Sequence, residues 1–456
     1  NLTFVGLLLL QNPLKPDSAK FCQRLVASGR RVVILTGDHL LTSAHSFGLL
    51  GCETRPLVIV EKPLNFKEVH SDSQLKLTHT DFQKYVFALN AETWDTIDAE
   101  TRKSLLPHLA VIARANPGQK EAFIRMIQAE QPALMCGDGT NDAGALRAAA
   151  VGVALVGTAP EPTSEEKKAA KKKKQEVIQK ALRERRMPRP EELVQEEEAE
   201  FKLGDASIAA PFTNKHSNSI KCVETILRRG LATLVSGIQS YKTTALSSLM
   251  LAYALSSLHL NNLKFSDFQN TLLAIYTTYL YFMISNGKPV KTLPAAKPDT
   301  TTFTRYFWLS LLGQVAIQFS FMKIIMDFST TYKPEEEVNV NNEAEFVPTF
   351  VTSCMFLFEL TSSFCIWVFN YEGRPFMQSI SEGKHFKFVI AGLLMIPTLS
   401  FDLSSELTSM FSLTLKSTHP YPHEYLTTCL LAMIALSFFW TRLIKFMKLG
   451  YIDKLL

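Results

Sequence analysis

The sequence lacks a paired cysteine motif, a strong net charge and any interleaving of aromatic with basic residues. Its seven cysteines include no Cys-x-x-Cys pair, so buried thiols are a simpler interpretation than a zinc or redox site. The net charge of +5 is small for 456 residues, and proteins that bind single strands place aromatic residues among basic ones. These absences argue against a nucleic-acid partner.

Long hydrophobic runs are scarce in the first half of the chain and frequent in the second. Residues 1 to about 220 are polar and broken by loops, whereas the remainder carries long apolar stretches. A chain of 456 residues has room for two or three domains. We therefore expect a part in water followed by a part in a membrane.

The most informative stretch is residues 135–142, which read Met-Cys-Gly-Asp-Gly-Thr-Asn-Asp. The surrounding pattern predicts a strand, a glycine loop, a helix and a second strand of a parallel α/β sheet. Gly137 and Gly139 are expected to permit a sharp turn at the strand's carboxyl end. Asp138 and Asp142 add two carboxylates, the hard ligands that suit a Mg²⁺ serving a phosphate. The alternative is an ordinary Asp-Gly turn followed by a helix cap.

Two upstream segments have the same placement at the end of a strand. A buried-strand run ends in Thr36, Gly37 and Asp38, where a hydroxyl and a free amide can hold a phosphoryl oxygen. Another apolar strand, at 109–113, leads into a helix whose first turn carries Lys120, a positive charge for the phosphoryl group. Each segment alone is common, but their order and placement together predict a site for phosphoryl transfer.

These three segments resemble the phosphorylation domain of the P-type ATPases, which belong to the haloacid-dehalogenase-like phosphotransferases. The resemblance implies an α/β Rossmann-type fold, with ATP as the phosphoryl donor and Mg²⁺ as the metal. It implies that the threonine loop holds the phosphoryl group, that the lysine neutralises it, and that the acidic loop binds the metal. The catalytic residues would be Thr36, Gly37, Asp38, Lys120, Asn141 and Asp142, and the metal ligands Asp138 and Asp142.

The chain departs from the family pattern in three places. His39 stands where many relatives carry asparagine. The Asp-Lys-Thr-Gly motif that supplies the family's nucleophile is absent, as is the Thr-Gly-Glu-Ser dephosphorylation loop; the single Asp-Lys pair is Asp453-Lys454. Residue 1 is asparagine, and residues 2–10 already predict a domain strand. We therefore expect the chain to be the C-terminal part of a longer polypeptide.

Six apolar stretches in the second half are each close to the roughly 20 residues that a bilayer requires. Basic residues flank one set of connections and acidic residues crowd the other, which predicts a cytosolic first half and a cytosolic C-terminus. We place the spans at about 233–258, 268–286, 306–327, 347–369, 387–403 and 425–444.

The expected architecture is thus an α/β phosphorylation domain followed by an all-α transmembrane domain with six helices. Within the first half, residues 17–28 and 42–50 predict helices and 31–35 a strand. The segment 158–202 is rich in lysine and arginine and then acidic, which favours a solvated insertion over a membrane-surface or partner-binding arm. The predicted domains are residues 1–157 (phosphorylation domain), 158–202 (charged arm), 203–232 (connection) and 233–456 (transmembrane domain).

The predicted spans offer little chemistry for a small metal ion. The second begins with Gln269 and Asn270 and contains tyrosines but no acid. Glu359, in the middle of the fourth, is a functional candidate because acids inside a membrane are costly; the alternative is a hydrogen bond to a neighbouring helix. Lys242 is expected to extend toward the interface. Glu359, Gln269 and Asn270 are the candidates for a substrate path.

Three further stretches resemble the type V P-type ATPases: residues 203–213, 285–289 and 370–376. The first begins Leu-Gly-Asp-Ala-Ser, which resembles the A branch more than the polyamine-transporting B branch. By resemblance, A-branch proteins lie in the endoplasmic reticulum membrane and use ATP to extract misinserted or mistargeted transmembrane helices. Hydrophobic helices and the bilayer are then the partners, and the protein is a monomer once its N-terminal part is present. The alternatives are a B-branch polyamine exporter and a membrane scaffold that does not hydrolyse ATP.

Overall fold

The computed structural model describes residues 13–61, 65–69, 74–155, 172, 209–214, 219–334, 346–383, 386–401 and 405–452. Outside these residues lie the predicted strand at 2–10, nearly all of the charged segment 158–202, the Leu-Gly-Asp-Ala-Ser motif and the Asp453-Lys454 pair. The chain divides into two compact units, with the boundary between Leu227 and Arg228.

The first unit is an α/β structure. Its strands are β1 (Ile34–Leu35), β2 (Leu57–Glu61), β3 (Asn65–Glu68), β4 (Gln74–Leu75), β5 (Val86–Asn90), β6 (Leu109–Ala113), β7 (Leu134–Gly137), β8 (Val151–Leu155) and β9 (Phe212–Asn214). Its helices are α1 (Ser18–Ala27), α2 (Leu40–Leu50), α3 (Ala91–Thr96), α4 (Ala99–Leu105), α5 (Pro117–Glu130) and α6 (Ala143–Ala148). The predicted helices at 17–28 and 42–50 are confirmed as α1 and α2, whereas the strand predicted at 31–35 is shorter.

The described strands form two sheets. The first has the order β1-β6-β5-β2-β3-β4, in which β1, β6, β5 and β2 are parallel and β3 and β4 add an antiparallel edge. The second is the parallel sheet β7-β8-β9. The predicted strand, glycine loop, helix and strand are confirmed, because β7 pairs with β8 and α6 lies between them in the chain.

The centre of the larger sheet is a strand that the sequence pattern did not reveal. Val86, Phe87, Ala88 and Leu89 of β5 are almost fully buried between β6 and β2. A strand covered on both faces shows no alternation of apolar and polar residues, and four apolar residues are too few to identify it by periodicity.

The second unit is all-helical. Each of the six predicted spans overlaps one helix. Three of these helices, Arg305–Thr331, Phe350–Phe369 and Pro422–Ile452, are long and apolar enough to cross a membrane by length and composition, whereas Phe386–Ser400 is a shorter apolar helix. The count of six spans therefore remains a prediction. The helices are α7 (Lys221–Leu260, which begins in the first unit), α8 (Asp267–Ser285), α9 (Arg305–Thr331), α10 (Phe350–Phe369), α11 (Phe386–Ser400), α12 (Ser405–Met410) and α13 (Pro422–Ile452).

Helix α10 is the centre of the second unit. Every residue from Phe350 to Trp367 is buried, and the helix packs against α8, α9, α11 and α13. A helix without a polar face is typical of a protein core or of a membrane span, and α10 is covered by other helices along nearly its whole length. The core of this unit is therefore built around α10.

Helices α9 and α13 approach closely at Gly313, and the Gly313→Ala variant tests that contact. A Cβ atom there would overlap the indole ring of Trp440. Alanine normally favours a helix over glycine by about 0.5–1 kcal/mol, but overpacking costs about 1–3 kcal/mol, so we expect net destabilisation. The measurement is the thermal unfolding midpoint of the full chain in detergent.

Gly230→Ala in α7 is the matched control, because a Cβ at Gly230 meets no atom within 4 Å. We expect its midpoint to be unchanged or slightly raised. A Gly313→Ala midpoint equal to that of the control would contradict the close packing of α9 on α13.

Candidate active site

The loops after β1 and β6 are held together by backbone hydrogen bonds. The Thr36 amide donates to the Ile112 carbonyl (3.0 Å), and the Ala115 amide donates to the Thr36 carbonyl (3.0 Å). The Arg114 amide donates to the Asp38 carbonyl (3.0 Å), and Arg114 has a φ of +50°, which is uncommon for a residue other than glycine. These bonds fix the Thr-Gly-Asp segment at the carboxyl edge of the sheet.

The side chain of Thr36 is fixed within its own loop. Its hydroxyl donates to Asp38 Oδ2 (3.0 Å) and accepts from the Asp38 amide (3.1 Å). Thr36 is half-buried, while Gly37 and Asp38 are exposed. A hydroxyl and an exposed glycine backbone thus lie side by side at the strand end. The hydroxyl proton is donated to Asp38, so the predicted phosphoryl contact requires that proton to turn from Asp38 to the phosphoryl oxygen.

Lys120 is placed by the capping of α5. Asn116 Oδ1 accepts from the Gln119 amide (2.8 Å), Gln119 Oε1 accepts from the Asn116 amide (3.1 Å), and Pro117 is the first helical residue. The cap confirms that Lys120 lies in the first turn. Its Nζ forms an ion pair with Asp142 Oδ1 at 2.8 Å, and the two side chains are only 11% and 12% exposed.

Gly137 is needed for the space it leaves rather than for its backbone angles. A Cβ there would lie 2.5 Å from Asp142 Oδ2 and 2.9 Å from Asp142 Cγ. Neither Gly137 nor Gly139 has a positive φ, so the loop does not use the left-handed conformation that glycine permits. The loop turns through ordinary angles, and the absent side chain lets the Asp142 carboxylate fold back over β7.

The structure thus brings the three predicted segments together through direct contacts. The loops after β1 and β6 share backbone hydrogen bonds, and α5, which follows the loop after β6, carries the lysine that pairs with the loop after β7. Leu35 also packs against the cluster that contains Met135. Asp138 and Asn141 are exposed beside the pair. The roles of these residues stay predictions.

The residues present fit a Mg²⁺ site, although the described residues hold no group of three histidine, cysteine or acidic side chains. Mg²⁺ keeps several waters and is commonly bound through one or two carboxylates plus phosphate oxygens. Asp138 has exposed oxygens for such an ion, whereas one oxygen of Asp142 is engaged by Lys120. Asp138 is therefore the stronger of the two metal candidates.

The capping pair Asn116 and Gln119 is a site feature that the functional interpretation missed. Its signal was present in the sequence, because Asn-Pro-Gly-Gln matches a capping box with proline at the first helical position. The sequence already placed Lys120 in the first turn of this helix, and the cap adds the residue at which α5 begins.

The seven cysteines are all free, as expected. Cys136, which directly precedes the Gly-Asp-Gly segment, has its pKa raised to about 12, chiefly by burial and further by the nearby Cys222 and Asp138. Its thiol is therefore neutral at physiological pH and is a poor nucleophile.

We expect Cys136 in the native full chain to be alkylated by iodoacetamide at least about 10-fold more slowly than in urea, since the thiolate is the reacting form. The measurement is mass spectrometry of the peptide that contains Cys136 over a time course near neutral pH. Labelling at equal rates in the native and unfolded states would contradict a buried, neutral thiol.

The three membrane candidates are not brought together. Gln269 is fully buried and caps α8: its Oε1 accepts from the Ser266 amide (3.2 Å) and its Nε2 donates to the Phe411 carbonyl (3.1 Å). Asn270 is exposed at the same end of α8. Glu359 lies in the middle of α10, 3% exposed, and its Oε1 has no partner among the described residues.

The expectation that Lys242 extends toward water was wrong. Lys242 is 5% exposed, and its Nζ donates to the Ser310 hydroxyl of α9. A hydroxyl presented by the facing helix gives the ammonium a partner inside the bundle, so that it does not need to reach the interface.

No protein-family model matches the chain. The chain is similar to a probable manganese-transporting ATPase, PDR2, of Arabidopsis thaliana, with 29% identity over 99% of this chain and 42% of the relative. It is also similar to the endoplasmic reticulum transmembrane helix translocase of Schizosaccharomyces pombe, with 28% identity over 87% of this chain and 39% of the relative. A polyamine-transporting ATPase, 13A3, of Mus musculus is 26% identical over 88% of this chain and 33% of the relative. The chain spans about two fifths of the length of the first two relatives.

Proposed function

We propose that the chain belongs to the A branch of the type V P-type ATPases and serves an ATP-driven extraction of transmembrane helices from the endoplasmic reticulum membrane. The support is its similarity, over most of its length, to relatives named as endoplasmic reticulum transmembrane helix translocases. The observation that carries the catalytic part of this proposal is the buried pair of Lys120 with Asp142. This ion pair joins the acidic glycine loop to α5. The loop before α5 is hydrogen-bonded to the backbone of Thr36, so the acidic loop, the lysine and the threonine lie together as a phosphoryl-transfer site needs.

In this proposal the nucleophilic aspartate, which attacks the γ-phosphorus of ATP and becomes phosphorylated, comes from outside these 456 residues. Thr36 and Gly37 hold the transferring phosphoryl group by a hydroxyl and a backbone amide, and Lys120 compensates its charge. Asp142 orients the lysine through the ion pair. Asp138 would hold Mg²⁺, which when bound neutralises charge on the phosphate oxygens.

We also propose the full topology of six spans, with the first unit and the C-terminus in the cytosol. The support is that each of the six apolar stretches overlaps a helix, three of which are long and apolar enough to cross a membrane. Basic residues between the second and third stretches and between the fourth and fifth agree with this orientation. The domain boundaries at residues 157, 202 and 232 belong to the same proposal.

A peptide substrate suits the second unit better than a small cation does. Helix α8 has no acid beyond Asp267 in its first turn, and α7 has none beyond Glu224 in its own. Polyamines and metal ions both require carboxylates or comparable oxygen ligands along their path. The alternative, polyamine export, would need Glu359 of α10 or carboxylates on spans outside this chain.

The test uses the full-length protein in liposomes and measures ATP hydrolysis with no addition, with a moderately hydrophobic helix peptide that has a basic flank, with spermine and with Mn²⁺. An Asp138→Asn variant establishes that turnover uses this site. Stimulation by the helix peptide alone is the expected result. Stimulation by spermine or Mn²⁺ alone would overturn the substrate assignment, and equal hydrolysis by Asp138→Asn would overturn the site.

A further inference from the structure

A wide cavity of about 990 Å³ opens between α7 and the end of α8 in the second unit. One wall is a face of α7 that carries Arg229 and small hydroxyl residues such as Ser236 and Ser240. The other wall is the end of α8 with the loop that follows, including Tyr281 and Lys288. The cavity therefore lies where two predicted spans meet the basic loop between α8 and α9.

Arg229, which lines the cavity, and Arg228, which precedes it in the chain, have different roles. Arg228 Nη1 donates to the carbonyls of Val290 (3.1 Å) and Lys291 (2.6 Å) and so fixes the loop after α8. The Gln378 amide donates to the Lys288 carbonyl (2.9 Å), which fixes the loop from its other side. The backbone that carries the Lys288 ammonium is thus rigidly placed.

The next arginine, Arg229, is not used in this way. Arg229 and Lys288 are both exposed and have no ion-pair partner among the residues that the structure describes. None of the residues that line the cavity is acidic. Two uncompensated cations beside hydroxyl donors attract an anion with several acceptor oxygens, and a phosphate group has that chemistry.

We propose that this cavity binds the phosphate of an anionic phospholipid from the cytosolic leaflet. The inference rests on the proposed topology, which puts the start of α7 and the end of α8 at the cytosolic interface. Basic pockets between transmembrane helices on that side are suited to lipid head groups.

Features beside the cations favour a lipid over a free phosphate. Tyr241 in the cavity wall is 72% exposed, and Phe282 on the neighbouring turn of α8 is 60% exposed. Exposed aromatic residues are typical of the membrane–water boundary, where a head group meets its acyl chains. Further toward the middle of α8, Ile275 is also exposed and continues an apolar surface for those chains.

The experiment measures lipid retention, without ATP, so its outcome is independent of the proposed transport activity. Full-length protein is placed in nanodiscs of phosphatidylcholine with phosphatidylserine, then extracted, and the lipid that remains bound is quantified by mass spectrometry. We expect Arg229→Ala/Lys288→Ala to retain less phosphatidylserine, by roughly fivefold for each cation removed. Lys264→Ala, which removes one cation at the opposite ends of α7 and α8, is the matched control and should retain it.

Two further variants separate a lost charge from a lost fold, and a bound lipid from a bound protein segment. The charge-preserving variant Arg229→Lys/Lys288→Arg should retain the lipid, because both positive charges and the folded state are kept. A photoreactive phenylalanine in place of Tyr241 should form adducts with lipid. The proposal is overturned if the alanine pair retains as much lipid as the control, if inorganic phosphate displaces the lipid completely, or if the adducts join Tyr241's position to another protein segment.

Discussion

Replacing Gly137 by alanine is expected to lower ATP hydrolysis by the full-length protein by about 100-fold, the order of loss that a 1 Å misplacement of a catalytic group can cause. The new Cβ would lie 2.5 Å from Asp142 Oδ2 and 2.9 Å from Asp142 Cγ, so the carboxylate has to move away. Because the opposite oxygen pairs with Lys120, the lysine loses its partner and its position at the same time.

Gly139→Ala provides the matched control, since both glycines lie in the same loop and neither has a positive φ. A Cβ at Gly139 meets nothing closer than 3.8 Å, which is ordinary contact. We expect this variant to keep hydrolysis within about threefold of the parent, since surface-loop changes without a clash have small effects. Equal activity in the two variants would show that the Asp142 carboxylate has no required position.

Thermal unfolding of the Gly137→Ala and Gly139→Ala variants shows whether the substitution disturbs only the active site or destabilises the whole fold. The Gly137→Ala clash involves one side chain at the sheet edge, so we expect the midpoint to fall by only a few degrees. Loss of hydrolysis together with loss of the folded state would assign the glycine a role in stability rather than in placing the carboxylate.

The parts of the site that could be predicted are those whose signal is local in sequence. The strand, loop, helix and strand around residues 134–155 follow from apolar runs and glycines, and Lys120 follows from a helix start. The use of Gly137 could not be predicted, because it depends on a side chain five residues later folding back over the strand. Strand β5 could not be predicted for a similar reason, because its place between β6 and β2 depends on residues far away in the sequence.

The membrane helices show a similar division. Each apolar stretch found by hydropathy overlaps a helix, but hydropathy does not give the ends of the helices: α7 begins at Lys221, whereas the predicted span begins at about 233. The hydrogen-bond partners of buried polar side chains could not be predicted from the sequence either. The contact of Lys242 with Ser310 depends on which face of α9 meets α7, and one sequence without its packing does not specify that face.

The second large effect is expected at the ion pair itself. Removing the positive charge by Lys120→Met leaves the Asp142 carboxylate buried and unpaired, which typically costs about 3–5 kcal/mol. The loss should be concentrated near the site, so we expect faster hydrogen exchange of backbone amides in α5 and α6 of the full chain. Hydrolysis of ATP should be lost as well, because the phosphoryl charge is no longer compensated.

A double-mutant cycle separates the interaction energy between Lys120 and Asp142 from the effect of each residue alone. In Lys120→Met/Asp142→Leu both charges are gone, so the protection of α5 should recover in part, with a coupling of about 0.5–3 kcal/mol between the two changes. ATP hydrolysis should stay absent, since the double variant restores stability without restoring either charge.

The control pair is Arg125 with Glu121 on the same helix, whose nitrogen and oxygen are 2.7 Å apart but whose side chains are 66% and 36% exposed. Arg125→Met should cost only about 0.3–0.5 kcal/mol, because water already screens that pair. Similar costs at Lys120 and Arg125 would mean that burial does not strengthen the pair with Asp142. In that case the pair of Lys120 and Asp142 would contribute to the reaction but not to the stability of the fold.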